Sequence, residues 1–462
     1  MLSYMNQPRS FYRRLLFLAL PVIAQNLITT SLGLLDTFMV GLLGSNQMSA
    51  VTVANVPVFI MQLIVFGLQS GSSVLFSQFW GKGDRESINR AMGLGFMLAG
   101  GITVVFALVT FFCPVQVLRL ITDNELLIEL CRPYIRIVGF SYILNSLSSI
   151  YIGMQRSIEN SKFGMLVFAA SMCCNTIGNY ILIFGKFGAP ALGITGAALA
   201  TLFSRILEFV ICATYALRCR TVPLNYRALA RPGTEMLRRF VKYSAPVLAN
   251  ETLWGTGASM FTVIMGHMEG SADIIAAYTV AGNIDKLATA GIFGMAAATA
   301  VVIGKEIGVG SAKDEVQNIG LALCTTSVLA GTVLGIIEFF VFLTVLKPYA
   351  LPLFGLSATA TAICTRMILC YIISMPFHGF ASTMVVGVLR GGGDVRASLV
   401  IDILPLWGFS IPLAALLGLV LKVPLEIFCL YLLAENLLKT PIGIWRLRSG
   451  KWIKKIKSEK EM

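Results

Sequence analysis

Among the residue types that can hold an ion or move a proton, a few stand in this sequence where water should be absent. Residues 34–44 read LLDTFMVGLLG, placing one aspartate, Asp36, inside an apolar run from about Leu15 to Leu43. An ionised carboxylate in hydrocarbon costs about 2.5–3.5 kcal/mol on insertion scales, so its presence points to function. The plain alternative is a carboxylate satisfied by neighbouring hydroxyls or amides that only holds helices together. Glu251 in PVLANETLWG, Asp285 beside Lys286, Asp402 in VIDILPLWG and His378 after Pro376 lie in similar runs. Glu251 is a candidate for binding a cationic substrate or a proton, the alternative being a bond to a proline-kinked backbone. Asp285 is a weaker candidate, since it and Lys286 read as charges that neutralise one another. Asp402 precedes Pro405 and Trp407 and could line a cavity. Histidine changes charge near neutral pH, although a lone one more often serves structure. Arg205 and Glu208 read as an i,i+3 pair near the cytoplasmic end of a helix. No GxxxxGKS, H-E-x-x-H, G-x-S-x-G or cysteine–histidine cluster occurs, and there are only two histidines. An enzyme, an ATP-driven pump and a bound cofactor are therefore not expected.

The elements that position these residues must be membrane helices. The chain has 462 residues, 56% hydrophobic and 13% charged, against about 25% charge in average soluble domains, and a mean hydropathy of +0.80. Apolar runs long enough to cross a roughly 30 Å core recur twelve times. The net charge of +13 does not imply nucleic acid. With the N-terminus inside, 27 of the 36 Lys and Arg fall on the inner side, seven on the outer, and Arg205 and Lys286 within spans. That asymmetry follows the positive-inside rule, and the inner excess meets anionic membrane lipids. The expected location is the plasma membrane, multi-pass, with both termini cytoplasmic. The first apolar run passes twenty residues with no small-residue cleavage site, so it reads as a retained span. The ten cysteines show no metal-type spacing, and the vicinal Cys173–Cys174 reads as packing.

The sequence also repeats itself. ALPVIAQNLI (19–28) matches SAPVLANETL (244–253), and TVAN (52–55) matches TVAG (279–282). WGKGDRE (80–86) matches IGVGSAK (307–313), and GMQRSIENSK (153–162) matches GVLRGGGDVR (387–396), setting Arg156 on Arg390 and Asn160 on Asp394. Two six-helix lobes follow: residues 1–217 and 243–447, joined by a basic cytoplasmic linker at 218–242 and ended by a basic tail at 448–462. Six is even, so both lobes enter the membrane in the same direction, as a parallel pseudo-two-fold repeat. Two such lobes with buried charges and no ring-like filter favour alternating access. Pro21 and Pro246 occupy equivalent places inside spans, where each removes a backbone hydrogen bond and bends the helix. They are candidate hinges, or fixed kinks that shape a cavity.

The first span with LLDTFMVGLLG, the glycine-bounded loop after the second, and above all CNTIGNYILIFGKFGAPALGITGAALAT (174–201) resemble the multidrug and toxic compound extrusion (MATE) transporters. The resemblance runs over essentially the whole chain in order. It implies a secondary antiporter that exports organic, usually cationic compounds in exchange for Na⁺ or H⁺. It also implies a cation site at Asp36, Asn175, Asn179 and Thr201. The chemistry fits: Asn175 and Asn179 share a helix face, and the Ala197 carbonyl lies one turn before Thr201. Carboxylate, amide, hydroxyl and carbonyl oxygens suit Na⁺, and the same pocket would equally hold a protonated carboxyl. Many members of one subfamily carry a second acid where this chain has Asn179, so the coupling ion stays open.

The second lobe departs from the family. Asp36 has Phe261 as its repeat counterpart, and the acid shifts to Glu251, counterpart of Asn26. The tenth-span aspartate of some relatives falls here on Gly379, beside His378. Gln25, Asn26 and Asn55 are polar residues of lobe-facing helices and candidate cavity lining. Nineteen Met and 29 Phe offer adaptable apolar surface for flat aromatic cations, although most must simply pack. The runner-up reading is a lipid-linked oligosaccharide or lipid flippase of the same superfamily. Anionic head groups would want cavity arginines, whereas only Arg205 and Lys286 are expected within spans. A monomer is expected.

Overall fold

Lipid offers the backbone no hydrogen bonds, so a chain this apolar must satisfy its peptide groups internally. The computed structural model, which describes residues 3–5, 7–354 and 356–456, does so with helices, and no strand occurs among the described residues. Twelve spans follow in order. The first half comprises Arg9–Gly41, Ser45–Gly81, Arg85–Phe112, Glu125–Ser157, Ser161–Phe184 and Ile194–Arg218. The second comprises Thr234–Gly266, Ser271–Val309, Lys313–Val341 continued through Phe342–Ala350, Ala358–Ser382 continued through Thr383–Arg390, a broken span over Val395–Pro405 to Leu416–Val420, and Tyr431–Arg448. Ten of these helices are long and apolar enough to cross a membrane. The seventh and twelfth fall outside that group: the seventh is rich in uncharged polar and small residues around Glu251, and the twelfth carries Glu435, Lys439, Arg446 and Arg448.

Side chains set several boundaries. Asp84 accepts from Ser87 N at 3.1 Å and starts the third span. Asn124 accepts from Leu126 N at 3.1 Å at the start of the fourth, and Ser357 caps the tenth through Ala360 N at 3.0 Å. Each satisfies a backbone donor that the first helical turn leaves open.

Two units emerge, and the chain passes between them inside continuous helices. One unit is Ala24–Leu248; the other is Met1–Ile23 with Ala249–Ile456. The passages fall two residues after Pro21 and Pro246 respectively. In the first unit the core gathers Val40, Ala54, Val58, Ile135, Val138 and Ala198. The second has two cores, one around Met295, Leu323, Met384 and Trp452, the other around Phe261, Ile274, Met367 and Phe428.

Two segments expected to be surface connections are packed. Within 218–242, Asn89 donates to Pro223 O at 3.1 Å, and Asn225 N donates to Asn89 Oδ1 at 3.2 Å, tying the segment to the third span. Beyond Arg448, Trp452 is buried against Gly320 and Gly392, and Lys454 N donates to Gly392 O at 2.8 Å. Asp394 receives Lys454 at 2.5 Å and also Arg446, which staples this end of the chain to the turn after the tenth span.

Candidate ion-binding site

The glycines of the fifth and sixth spans explain why Asn175, Asn179 and Thr201 meet. A methyl group at Gly196 would lie 2.4 Å from the Leu182 carbonyl oxygen, and one at Gly178 would lie 3.0 Å from the Ala200 methyl. Hydrogen alone lets the two helices approach this closely. The turn between them needs left-handed backbone at Gly185 (φ +66°) and Gly188 (φ +81°), conformations open to glycine. Ala197 buries its side chain among Val40, Ile183 and Ile194, one turn before Thr201.

A continuous chain of hydrogen bonds results. Asn179 Nδ2 donates to Asp36 Oδ1 at 2.5 Å and to Asn175 Oδ1 at 3.0 Å, and Asn175 Nδ2 donates to Thr201 Oγ1 at 3.3 Å. Asn175 and Asn179 are only 2% and 1% exposed, while Asp36 is half-buried. Asn179 Oδ1 is buried and meets no donor. An orphaned acceptor beside a carboxylate is suited to a cation, because an unsatisfied buried oxygen is otherwise costly. Among the described residues Asp36 makes no ion pair. One turn beyond Thr201, Arg205 interacts electrostatically with Asp36 but donates to Glu208 at 2.6 Å. Glu208 is fully buried and also receives Ser171 Oγ at 3.4 Å. The i,i+3 pair therefore forms and adjoins the Asp36 chain.

The other candidates of this unit are less gathered. Gln25 is buried, with its Oε1 close against Gly164 of the fifth span. Asn26 is half-buried, and Asn55 is exposed, accepting from Tyr134 at 3.4 Å.

In the other unit the acids are mostly matched by bases that were expected at the membrane surface. Arg390 is 2% exposed and donates to Glu251 at 2.6 Å. Lys439 is 4% exposed and donates to Asp402 at 2.5 Å and to Glu435, while Asn250 donates to Asp402 at 3.0 Å. The expectation that only Arg205 and Lys286 lie within spans is thereby corrected. Arg390 ends its helix and Lys439 lies midway along Tyr431–Arg448, and each turns inward to a carboxylate. Asp285 and Lys286 interact electrostatically, in keeping with their reading as charges that offset one another. Successive helical residues point about 100° apart, and the two form no ion pair among the described residues. Lys286 is exposed and Asp285 half-buried. His378 lies 3.4 Å from Asn436 and packs edge-on against Phe293. Gly379 cannot stand in for an aspartate, since a methyl there would lie 2.6 Å from Ser327 O.

Glu338 was missed. It lies in LGIIEFFVFL, the same lone-acid signal that marks Asp36, and both of its carboxylate oxygens are buried without a partner.

The MatE family model matches residues 21–181 and 249–416, one stretch in each half of the repeat. The chain belongs to the MatE family. It is 24% identical to the uncharacterized transporter YisQ of Bacillus subtilis over 449 residues, covering 94% of each chain. It is likewise 24% identical to the probable multidrug resistance protein NorM of Thermotoga maritima, covering 96% of this chain and 93% of that one. Among solved structures, a MATE transporter in complex with MaL6 superposes with a TM-score of 0.85 at 19% identity, covering 97% and 99% of the two chains. An outward-facing MATE transporter superposes with the same score at 19% identity, covering 95% and 96%. The MatE chain described here is thus a multi-pass membrane transporter and not an enzyme.

Proposed function

We propose that this MatE transporter is a secondary antiporter that exports organic, cationic compounds by alternating access, exchanging each for an inbound Na⁺ or H⁺ bound at Asp36. The observation that carries the reading is the chain Asp36–Asn179–Asn175–Thr201 with its orphaned Asn179 acceptor. A carboxylate free of any ion pair can take up and release a cation, which a carboxylate locked to arginine cannot do. The relatives' description as multidrug resistance proteins supports the export of varied organic compounds. Anionic lipid cargo is less well served, because the half-buried Arg205 and the buried Arg390 and Lys439 are each matched by a carboxylate. Pro21 and Pro246 lie where the chain changes unit, which suits a role as hinges. The same reading places both termini in the cytoplasm and treats the monomer as the working form.

Transport in proteoliposomes with Na⁺ and H⁺ gradients imposed separately tests the reading. Asp36→Asn protein should insert and fold normally yet lose gradient-driven efflux of cationic dyes. Full coupled efflux by that variant would refute the assignment.

A further inference from the structure

Two carboxylates of the unit lacking Asp36 share a single base. Asp402 on the eleventh span and Glu435 on the twelfth both accept from Lys439 Nζ, Asp402 at 2.5 Å. Two oxygens bonded to one nitrogen necessarily lie close together, so these acids form one cluster. Arg390 acts on Asp402 electrostatically but is bonded to Glu251 at 2.6 Å. Three carboxylates thus face two bases among the described residues, and one negative charge is left over. His378 does not supply the missing charge. Its Nδ1 lies 3.4 Å from the Asn436 amide nitrogen, and a ring nitrogen that accepts from an amide belongs to a neutral imidazole.

The cluster is also open on one side. The Lys439 side chain is 5% exposed, whereas those of Asp402 and Glu435 are 14% and 20% exposed. The base stands behind the acids, and the acids present their outer edges. Asn250, 1% exposed, donates to Asp402 Oδ2 at 3.0 Å, while its own Oδ1 is buried and meets no donor. A buried acceptor without a donor is costly. Here it stands beside a carboxylate, as the Asn179 oxygen does beside Asp36.

We propose that Asp402, Glu435 and Asn250 form a binding subsite for the N–H-bearing group of a monovalent organic cation, with Lys439 the fixed counter-ion behind it. The subsite deepens the antiport reading, on which its role in export rests. An incoming ammonium brings the one positive charge that the cluster lacks. It also brings N–H donors for the carboxylate edges and for Asn250 Oδ1, and charge-assisted bonds of this kind are the strong ones. The cluster then reaches neutrality without Lys439 having to leave. Glu251, matched one to one by Arg390, has no charge to spare. A metal ion is less well served, because it wants several oxygen ligands. Among the described residues no three His, Cys, Asp or Glu gather to hold one.

The test is fluorescence titration of the full-length protein, in nanodiscs of zwitterionic lipid at neutral pH, with 9-aminoacridinium. This is a flat monovalent cation with N–H donors, and acridine, uncharged at that pH, is the control. Glu435→Gln keeps Lys439 paired with Asp402 but cancels the surplus charge. It should fold as native and bind the cation about tenfold more weakly, the loss of one charge-assisted bond. Glu435→Gln/Lys439→Met returns a single surplus charge to Asp402, still held by Asn250, and should recover near-native affinity. Acridine should bind alike to all three proteins. Absence of cation binding by native protein, which requires no variant to fold, overturns the proposal. So does native affinity in Glu435→Gln, a double variant that fails to recover, or a loss that acridine shares. Asp36→Asn should bind the cation as native protein does whether or not it loses gradient-driven efflux, so the two readings fail separately.

Discussion

Asn179 links Asp36 to the rest of the site, and removing it should affect Na⁺ and H⁺ in opposite directions. In Asn179→Ala the 2.5 Å bond to the carboxylate and the 3.0 Å bond to Asn175 are both lost, together with the orphaned Oδ1. A hydrogen bond to a charged group contributes about 1.5–3 kcal/mol. Asp36 is half-buried, so the lower end applies, and 1.4 kcal/mol is about tenfold in affinity. The lost donor had stabilised the ionised carboxylate, so an H⁺-coupled transporter should bind its proton about tenfold more tightly. Half-maximal efflux would then move by about one unit toward higher pH. A Na⁺-coupled transporter instead loses an oxygen ligand, and its half-saturating Na⁺ concentration should rise by about tenfold. Asn175→Ala, which never touches Asp36, is the internal control for the proton arm and should shift the half-maximal pH far less. Dye efflux from proteoliposomes at graded pH and graded Na⁺ reads both outcomes. If both half-saturation values stay at the native level while efflux persists, Asn179 is a packing amide and the site is misassigned.

Two further substitutions test the second unit. Removing one member of the Glu251–Arg390 pair strands a buried charge, so Arg390→Met should destabilise by about 3–5 kcal/mol, while Arg390→Met/Glu251→Leu should recover most of that in thermal unfolding. Additive losses would show that the two side chains do not depend on each other. Gly379→Asp, which restores the acid of some relatives, forces a side chain against Ser327 O and should cost about 1–3 kcal/mol of overpacking without conferring new ion dependence. A variant with native melting behaviour and a newly ion-dependent efflux would contradict that.

The parts of this fold legible in the sequence were those governed by length and period. Twelve spans, the repeat and the prolines within helices follow from apolar runs and turn residues, because lipid leaves the backbone so few alternatives. The cluster at Asp36 was legible through the 174–201 motif, whose glycines set how closely two helices approach. The pairing of bases with acids was not. Arg390 ends its span and Lys439 lies midway along the twelfth, and hydropathy cannot say whether a long basic side chain reaches out to water or back to a carboxylate. Glu338 carried a readable signal that was passed over. Trp452 and Asp394 show the same limit for the end of the chain, where basic composition suggested a solvated tail and one buried indole with one buried carboxylate holds it in place.

The halves share a repeat but not a chemistry, and the reason can be read at one pair of positions. Where the first half has Asp36, the second has Phe261, packed in an apolar core against Tyr431 with ring centroids 4.8 Å apart. A carboxylate at that place would be buried among Ile264, Met265 and Phe428. The second half therefore does not repeat the Asp36 cluster of the first. Its acids lie on other helices, and they divide by whether a base reaches them. Glu251, Asp402 and Glu435 are joined to Arg390 or Lys439 and hold the unit together. Asp285 and Glu338 form no ion pair among the described residues, and both Glu338 oxygens are buried without a hydrogen-bond partner.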